Sequence, residues 1–310
     1  MKKALKNFHC ARPFLKWAGG KTQLLGELDK RLPEEIQTGE ITRYAEPFIG
    51  GGAFFLSLSQ KYSFEQCMIC DANEELILTY KVIKKSVKQL IKNLETIESE
   101  YLSKDEKDRE LMYYKIRDDF NRKLSEINFR RFNSEWIVRA AWIIFLNHTC
   151  YNGLFRVNRK GEFNVPFGKY KNPEICKENN LNDTSSLLKT TRIVSGDFSC
   201  CRRFVDDTSF VYLDPPYRPI NQTSSFTSYS KEGFFDSDQV RLVNFFKEID
   251  KKGAKIMLSN SDPQNHNPSD SFFDDHFSDY TIERVPAKRT INSVGAGRGK
   301  INELIITNYR

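Results

Sequence analysis

The sequence predicts an α/β protein with a mainly parallel sheet, interrupted by a mainly helical, basic insertion. Three observations predict it. Short apolar runs stop at or just before an acid, at Met68–Asp71, at Ile193–Ser195 ahead of Asp197, and at Phe210–Leu213 ahead of Asp214. Between residues 41 and 71 the order is strand, glycine loop, helix, strand, as in a parallel β-α-β unit. From Leu76 to Leu146 the apolar residues recur at helical spacing instead.

Taken in order, Gly19 to Leu32 reads as a glycine-initiated helix and Ile41 to Glu46 as a strand. Gly50-Gly51-Gly52 opens a second helix that runs through Leu58. Leu76, Tyr80, Ile83, Val87, Leu90, Ile91 and Leu94 form a helical stripe amid lysines, and Glu106 to Arg131 is very highly charged. Trp136 to Leu146 is an apolar helix, and Asn147 to Pro173 a long irregular or hairpin-like segment of the kind that often carries function. The strand rhythm returns at Ile193–Ser195, Phe210–Leu213, Lys255–Ser259, Thr281–Val285 and Glu303–Tyr309. This divides the chain into one domain, 1–74 with 186–310, and an insertion, 75–185.

Composition narrows the classes. Hydrophobic residues at 39% and charged residues at 29% fit a soluble globular protein, and a net charge of +7 permits a polyanionic partner without requiring one. Met1 to Cys10 is followed by no apolar signal region, and the longest apolar run, Ala140 to Leu146, is too short to span a bilayer. Seven cysteines without a regular framework fit a reducing cytoplasm. Cys67 and Cys70 have CxxC spacing around Met68 and Ile69, which suggests a strand, and no histidine lies at matching ligand spacing. No metal site is expected.

The chemistry concentrates at strand ends. Asp214-Pro215-Pro216-Tyr217 places an acid, rigid carbonyl acceptors and an aromatic face at the carboxyl edge of the sheet, where open α/β sheets bind ligands. An acid with neighbouring carbonyls can grip both hydrogens of an amino group while Tyr217 stacks on a flat ring. Glu46-Pro47-Phe48-Ile49-Gly50-Gly51-Gly52 lets the backbone approach a ligand closely, although it is neither a GxGxxG fingerprint nor a phosphate loop. Asp71 is spaced to accept hydrogen bonds from ribose hydroxyls, or to cap the helix that begins near Asn73. With Asp197-Phe198 as a third strand end, the three acids outline a nucleoside-shaped pocket.

These blocks together resemble the Dam-type (group alpha, D12 class) DNA adenine-N6 methyltransferases. The match runs from Pro13 to Lys21 through Glu46-Pro47-Phe48, Asp71, Asn152 to Arg156, Gly161 to Gly168, Asp197-Phe198 and Asp214 to Tyr217. Ser259-Asn260 and Arg289 to Ser293 complete it in the family's order. The resemblance implies a Rossmann-like sheet that binds S-adenosylmethionine, yields S-adenosylhomocysteine and needs no metal. Trp17, Lys21 and the Phe48 to Gly52 loop (Gly50 and Gly52 included) would surround this cofactor. Asp71 would hold its ribose, with Asp197 and Phe198 near its adenine. Asp214 and the Pro215 carbonyl, held rigid by Pro216, would accept hydrogen bonds from the target amino group. Tyr217 would stack on the base after it is flipped out of double-stranded DNA.

Recognition is expected in the insertion. Arg156 matches the family's guanine-reading arginine. Asn147 to Tyr151, with Asn147, His148 and Tyr151 as contacts, is the expected hairpin tip inserting beside the target pair; Asn152 is a further DNA contact, and Pro166 shapes the same surface. Arg159, Lys160, Lys169 and Lys171 read as phosphate contacts or a solvated basic face. Arg289, Arg298 and Lys300 around Gly295–Gly299 read as a backbone clamp or a plain hairpin loop. The implied site is GATC, with a GATATC-like or another related sequence as the alternative, in a monomeric cytoplasmic enzyme. A cognate restriction endonuclease of the same restriction–modification system would be a partner without a stable complex. Competing readings are an RNA or protein amide methyltransferase, which more often carries Asn-Pro-Pro-Tyr, and a DNA-binding regulator on an inactive methyltransferase fold.

Overall fold

The computed structural model describes residues 10–218, 234–288 and 300–310. Arg289 to Ser293, the Gly295–Gly299 loop, Arg298 and the side chain of Lys300 lie outside the described residues.

Seven strands, β1 (Arg43–Glu46), β2 (Gln66–Asp71), β3 (Thr191–Ser195), β4 (Ser209–Leu213), β5 (Lys255–Ser261), β6 (Thr281–Lys288) and β7 (Lys300–Thr307), form one sheet in the order β3-β2-β1-β4-β5-β7-β6. β1 to β5 pair in parallel, and β7 runs antiparallel between β5 and β6. From β1 the chain steps outward to β2 and β3, then returns to β4 on the other side of β1. That reversal makes a topological switch point at the carboxyl ends of β1 and β4, where a crevice opens for a ligand. Glu46 ends β1 and Asp214 follows β4, so both border it.

β4 shows why these segments are strands. All five of its residues are buried, and its side chains alternate between two cores. Phe210 and Tyr212 join Tyr44 and Phe54 on one face, while Val211 and Leu213 join Met68, Phe246 and Leu258 on the other.

The helices are α1 (Leu25–Asp29), α2 (Glu34–Thr38), α3 (Ala53–Lys61), α4 (Glu74–Leu102), α5 (Glu106–Arg122), α6 (Glu135–Thr149), α7 (Glu178–Leu188), α8 (Asp236–Asp250) and α9 (Phe272–His276). α4 to α7 occupy the span between β2 and β3, and α4 and α7 also pack along β3. The expected apolar stripe of α4 is buried except for half-buried Val87, next to a break in helical geometry at Ser86. Among the described residues no helix is long and apolar enough to cross a membrane.

The single helix expected over Gly19–Leu32 is instead a 3-10 turn at Lys21–Gln23 followed by the short α1. Gly19 is left-handed at φ 74° and Gly20 extended at ψ 120°, so no helix starts before Lys21, and Gly26 weakens the next turn.

Arg139 of α6 ties α4, α5 and α6 together. Its guanidinium grips the Glu75 carboxylate of α4 (Nε to Oε1 2.9 Å and to Oε2 2.8 Å) and donates to the Phe120 carbonyl of α5 at 2.9 Å. With Arg139 only 1% exposed, removing it strands a buried carboxylate. Arg139→Ala should therefore lower the unfolding free energy by about 3–5 kcal/mol in urea titration. A loss below about 1 kcal/mol would contradict this role.

Candidate active site

Asp214 leaves β4 at the switch point and meets a cation. Lys21 Nζ lies 2.7 Å from Asp214 Oδ1, 2.9 Å from the Tyr217 hydroxyl and 4.5 Å from the centre of the Tyr217 ring. Ser259 Oγ of β5 donates to Asp214 Oδ1 at 3.1 Å and shares a 2.8 Å hydrogen bond with the Tyr212 hydroxyl. Tyr217 in turn donates to Glu303 Oε2 of β7 at 2.8 Å. Three strands and the Lys21 turn thus converge on the four-residue motif.

Burial disfavours the Lys21 ammonium, but Asp214, Tyr217 and Glu303 outweigh it and hold the amine protonated well above its usual range. Lys21 cannot serve as a base near neutral pH. Burial pushes the Asp214 carboxyl up, opposed by the charge and hydrogen bond of Lys21 and the hydrogen bond of Ser259. Neighbouring Glu46 is also pushed up by burial and receives the Tyr44 hydroxyl. Lys21, expected beside the cofactor, reaches into the Asp214 motif.

The glycine loop forms a cradle beside it. Gly50 and Gly52 sit at φ 46° and 71°, where side chains are strained. A Cβ at Gly50 would come within 3.0 Å of the Trp17 ring, and one at Gly52 within 2.4 Å of the Tyr80 hydroxyl. Asp71, at the end of β2, accepts from the backbone of Gly50 (Oδ2, 3.0 Å) and of Asn73 (Oδ1, 2.9 Å). The cap of α4 is Asn73 rather than Asp71, its side chain accepting from Leu76 N at 3.0 Å. Phe48 stacks on Phe198 with ring centres 5.4 Å apart, and Asp197 pairs with Arg241 at 3.0 Å. A carboxylate with lone pairs to spare, strained glycines and an aromatic pair suit a nucleoside cofactor such as S-adenosylmethionine.

Trp17 joins this cradle to the segment after α6 by stacking on Phe155 at 5.2 Å. There the structure corrects the expected hairpin tip. α6 continues through Thr149, so Asn147 and His148 lie on a helix, not at a tip. Asn147 is fully buried, with its amide clamping both backbone groups of Lys16 and donating to the Gly153 carbonyl. His148 is 8% exposed, its ring nitrogens bonded to the carbonyls of Glu174 (2.6 Å) and Phe14 (3.0 Å). Neither can reach DNA while these bonds hold.

The turn of the hairpin lies further on. Val157 bridges Phe163, Asn158 N donates to Glu162 O at 2.9 Å, and Gly161 at φ 82° reverses the chain, which puts Arg159 and Lys160 at the tip. Phe155, Phe163, Val165 and Phe167 point inward, whereas Tyr151, Asn152, Arg156, Arg159, Lys160, Pro166 and Lys169 are exposed. Arg156 is braced by Asn164, with Nε 2.8 Å from its side-chain oxygen. Asn152 and Lys169 take left-handed backbone at φ 57° and 55°. A cavity of about 350 Å³, lined in part by Lys16, Tyr170, Lys171 and Lys177, opens beside the base of this hairpin.

A sheet of this order, with its cradle and strand-end acids, defines an S-adenosylmethionine-dependent methyltransferase fold. Residues 17–291 match the family described as D12 class N6 adenine-specific DNA methyltransferase, and the chain belongs to that family. It is 51% identical to Type II methyltransferase M.MjaIII of Methanocaldococcus jannaschii over 299 residues, 96% of this chain and 99% of that one. It is 39% identical to Type II methyltransferase M1.LlaDCHI of Lactococcus lactis subsp. cremoris, covering 98% of both chains. It is 31% identical to the DNA adenine methylase of Escherichia coli K12, covering 95% of this chain and 94% of that one. The protein is thus a DNA adenine-N6 methyltransferase.

Gly52→Ala should weaken cofactor binding, because its Cβ would displace Tyr80, which itself donates to the Gly50 carbonyl at 3.1 Å. Calorimetric titration with S-adenosylhomocysteine should show a complex weaker by roughly 5- to 150-fold, as expected for about 1–3 kcal/mol of local strain. Unchanged affinity would refute the cradle.

Proposed function

We propose that this enzyme methylates the adenine of GATC in double-stranded DNA after flipping the base out of the helix. The observation that carries the chemistry is Asp214, fixed at the switch point beside the rigid carbonyls of Pro215 and Pro216. When bound, S-adenosylmethionine supplies a methyl group on a sulfonium sulfur, which keeps the C–S electron pair and leaves as S-adenosylhomocysteine. Asp214 and the Pro215 carbonyl accept hydrogen bonds from the target amino group. These acceptors draw N6 out of conjugation and aim its lone pair as the N–C bond forms. Asp214 then receives the proton that N6 sheds. Tyr217 stacks on the flipped ring, and Trp17, Phe48, Gly50, Gly52, Asp71, Asp197 and Phe198 form the cofactor side of the cleft.

Recognition falls to the insertion, 75–185. Its exposed hairpin face supports this, with Arg156 reading a guanine and Arg159, Lys160 and Lys169 meeting phosphates. Tyr151 and Asn152, both exposed, replace Asn147 and His148 as the residues that insert beside the target pair. The GATC assignment is supported by the resemblance of residues 147–168 to the Dam-type recognition block. Two relatives are named Type II methyltransferases, which supports a cognate endonuclease acting on the same sequence without a stable complex. The proposed site residues all come from one chain, which favours a monomer, and an enzyme whose substrate is DNA is placed with that DNA, in the cytoplasm.

Tritiated methyl transfer into a GATC duplex, recovered as N6-methyladenine, should vanish when its adenine is replaced. Equal incorporation into both duplexes would refute the site. Asp214→Ala should abolish transfer while largely sparing cofactor binding, and near-normal turnover would remove Asp214 from the chemistry. Arg156→Ala should relax discrimination at one guanine by about 1–3 kcal/mol. Unchanged ratios between cognate and single-substituted duplexes would free Arg156 of that role.

A further inference from the structure

The two oxygens of Asp214 have different surroundings. Oδ1 takes both fixed donors, Lys21 Nζ at 2.7 Å and Ser259 Oγ at 3.1 Å. Oδ2 has no hydrogen-bond partner among the described residues, and it is not sealed from solvent. Lys21 itself cannot drift, because it also donates to the Tyr217 hydroxyl, which is anchored on Glu303. Ser259 is held in the same way by Tyr212. A continuous polar chain therefore runs from β7 through Tyr217, Lys21 and Asp214 to Ser259 and Tyr212.

We infer that Lys21 is a positioning residue for methyl transfer: with Ser259 it clamps Oδ1 of Asp214, so that Oδ2 alone faces the amino group. This rests on the reading of Asp214 as the acceptor of that group. A carboxylate free to rotate offers either oxygen in many orientations, whereas a pinned one presents a single lone-pair direction to N6. The clamp also sets the charge. The groups facing Asp214 are Lys21 from the first turn, Tyr217 from its own motif, Ser259 and Tyr212 from β5 and β4, and Glu46 from β1. Glu303 faces Lys21 from β7. Lys21 is the one cation among them. Without it, burial would keep the Asp214 carboxyl protonated to higher pH, and a protonated carboxyl is a poorer acceptor. Transfer requires the ionised form, so the acid limb of the rate must move upward in pH when Lys21 is removed.

The test is single-turnover methyl transfer as a function of pH, with the affinity for S-adenosylhomocysteine measured alongside. Lys21→Met should slow transfer by about 10²-fold or more, move the acid limb up by about 1–3 pH units, and leave cofactor affinity within about twofold. Lys21→Arg keeps the charge and should leave the limb near its original pH while still transferring slowly. Ser259→Ala should move the limb in the same direction by less, and it carries the test if Lys21→Met does not fold. Glu303→Gln should leave the limb in place, since the carboxyl that meets the amine is unchanged. Weakened cofactor binding with an unmoved limb in Lys21→Met overturns the inference and returns Lys21 to the cofactor. An unmoved limb in Ser259→Ala, or a lost one in Glu303→Gln, also overturns it. Absence of transfer by the unaltered enzyme would strike the underlying reading of Asp214 instead.

Discussion

The buried contact between Lys21 and Asp214 is the constraint on which the site depends. Two charges so far out of water are costly unless each is closely paired and hydrogen-bonded. Here the ammonium meets Asp214, Tyr217 and a chain leading to Glu303, and the carboxylate meets Ser259 as well. Those partners come from the first turn, β5 and β7, so the sheet must be correctly ordered before the pair is satisfied. The antiparallel insertion of β7 beside β5 brings Glu303 opposite Ser261, two positions from Ser259, with its side chain within reach of Tyr217. Fold and site are one electrostatic problem.

A second constraint links the cleft to the hairpin proposed to read DNA. Trp17 contacts the glycine loop on one side and Phe155 on the other. Asn147 holds the Lys16 backbone immediately before it, and Gly153 leaves no room for a side chain against Lys16, where a Cβ would come within 2.1 Å. The hairpin is thus registered against the cofactor cradle through residues 16 and 17, not through long flexible linkers. Small displacements in such a coupling would misplace reacting groups, to which methyl transfer is sensitive.

Much of this was legible from local pattern. Strands such as β4 declare themselves by a five-residue buried run ending at Asp214, and the stripe from Leu76 to Leu94 declares α4. The glycine loop and the strand-end acids were equally visible, because their chemistry lies in adjacent residues. What local pattern missed depends on distant partners. Asn147 and His148 look like exposed polar loop residues, yet Lys16, Phe14 and Glu174 satisfy them in the interior. The turn at Asn158–Gly161 was obscured by the many polar residues on either side of it. Lys21 reads as one of the residues around the cofactor, and Glu303 as one more residue in the last strand, until β7 and the first turn are brought together.

The most direct measurement is a crystal structure of the enzyme with cognate duplex and S-adenosylhomocysteine. The account predicts the flipped adenine N6 within hydrogen-bond distance, about 2.7–3.2 Å, of Asp214 Oδ2, with Lys21 and Ser259 still on Oδ1. Lys21 bound to the cofactor, or N6 seated on Oδ1 with Oδ2 idle, would contradict it.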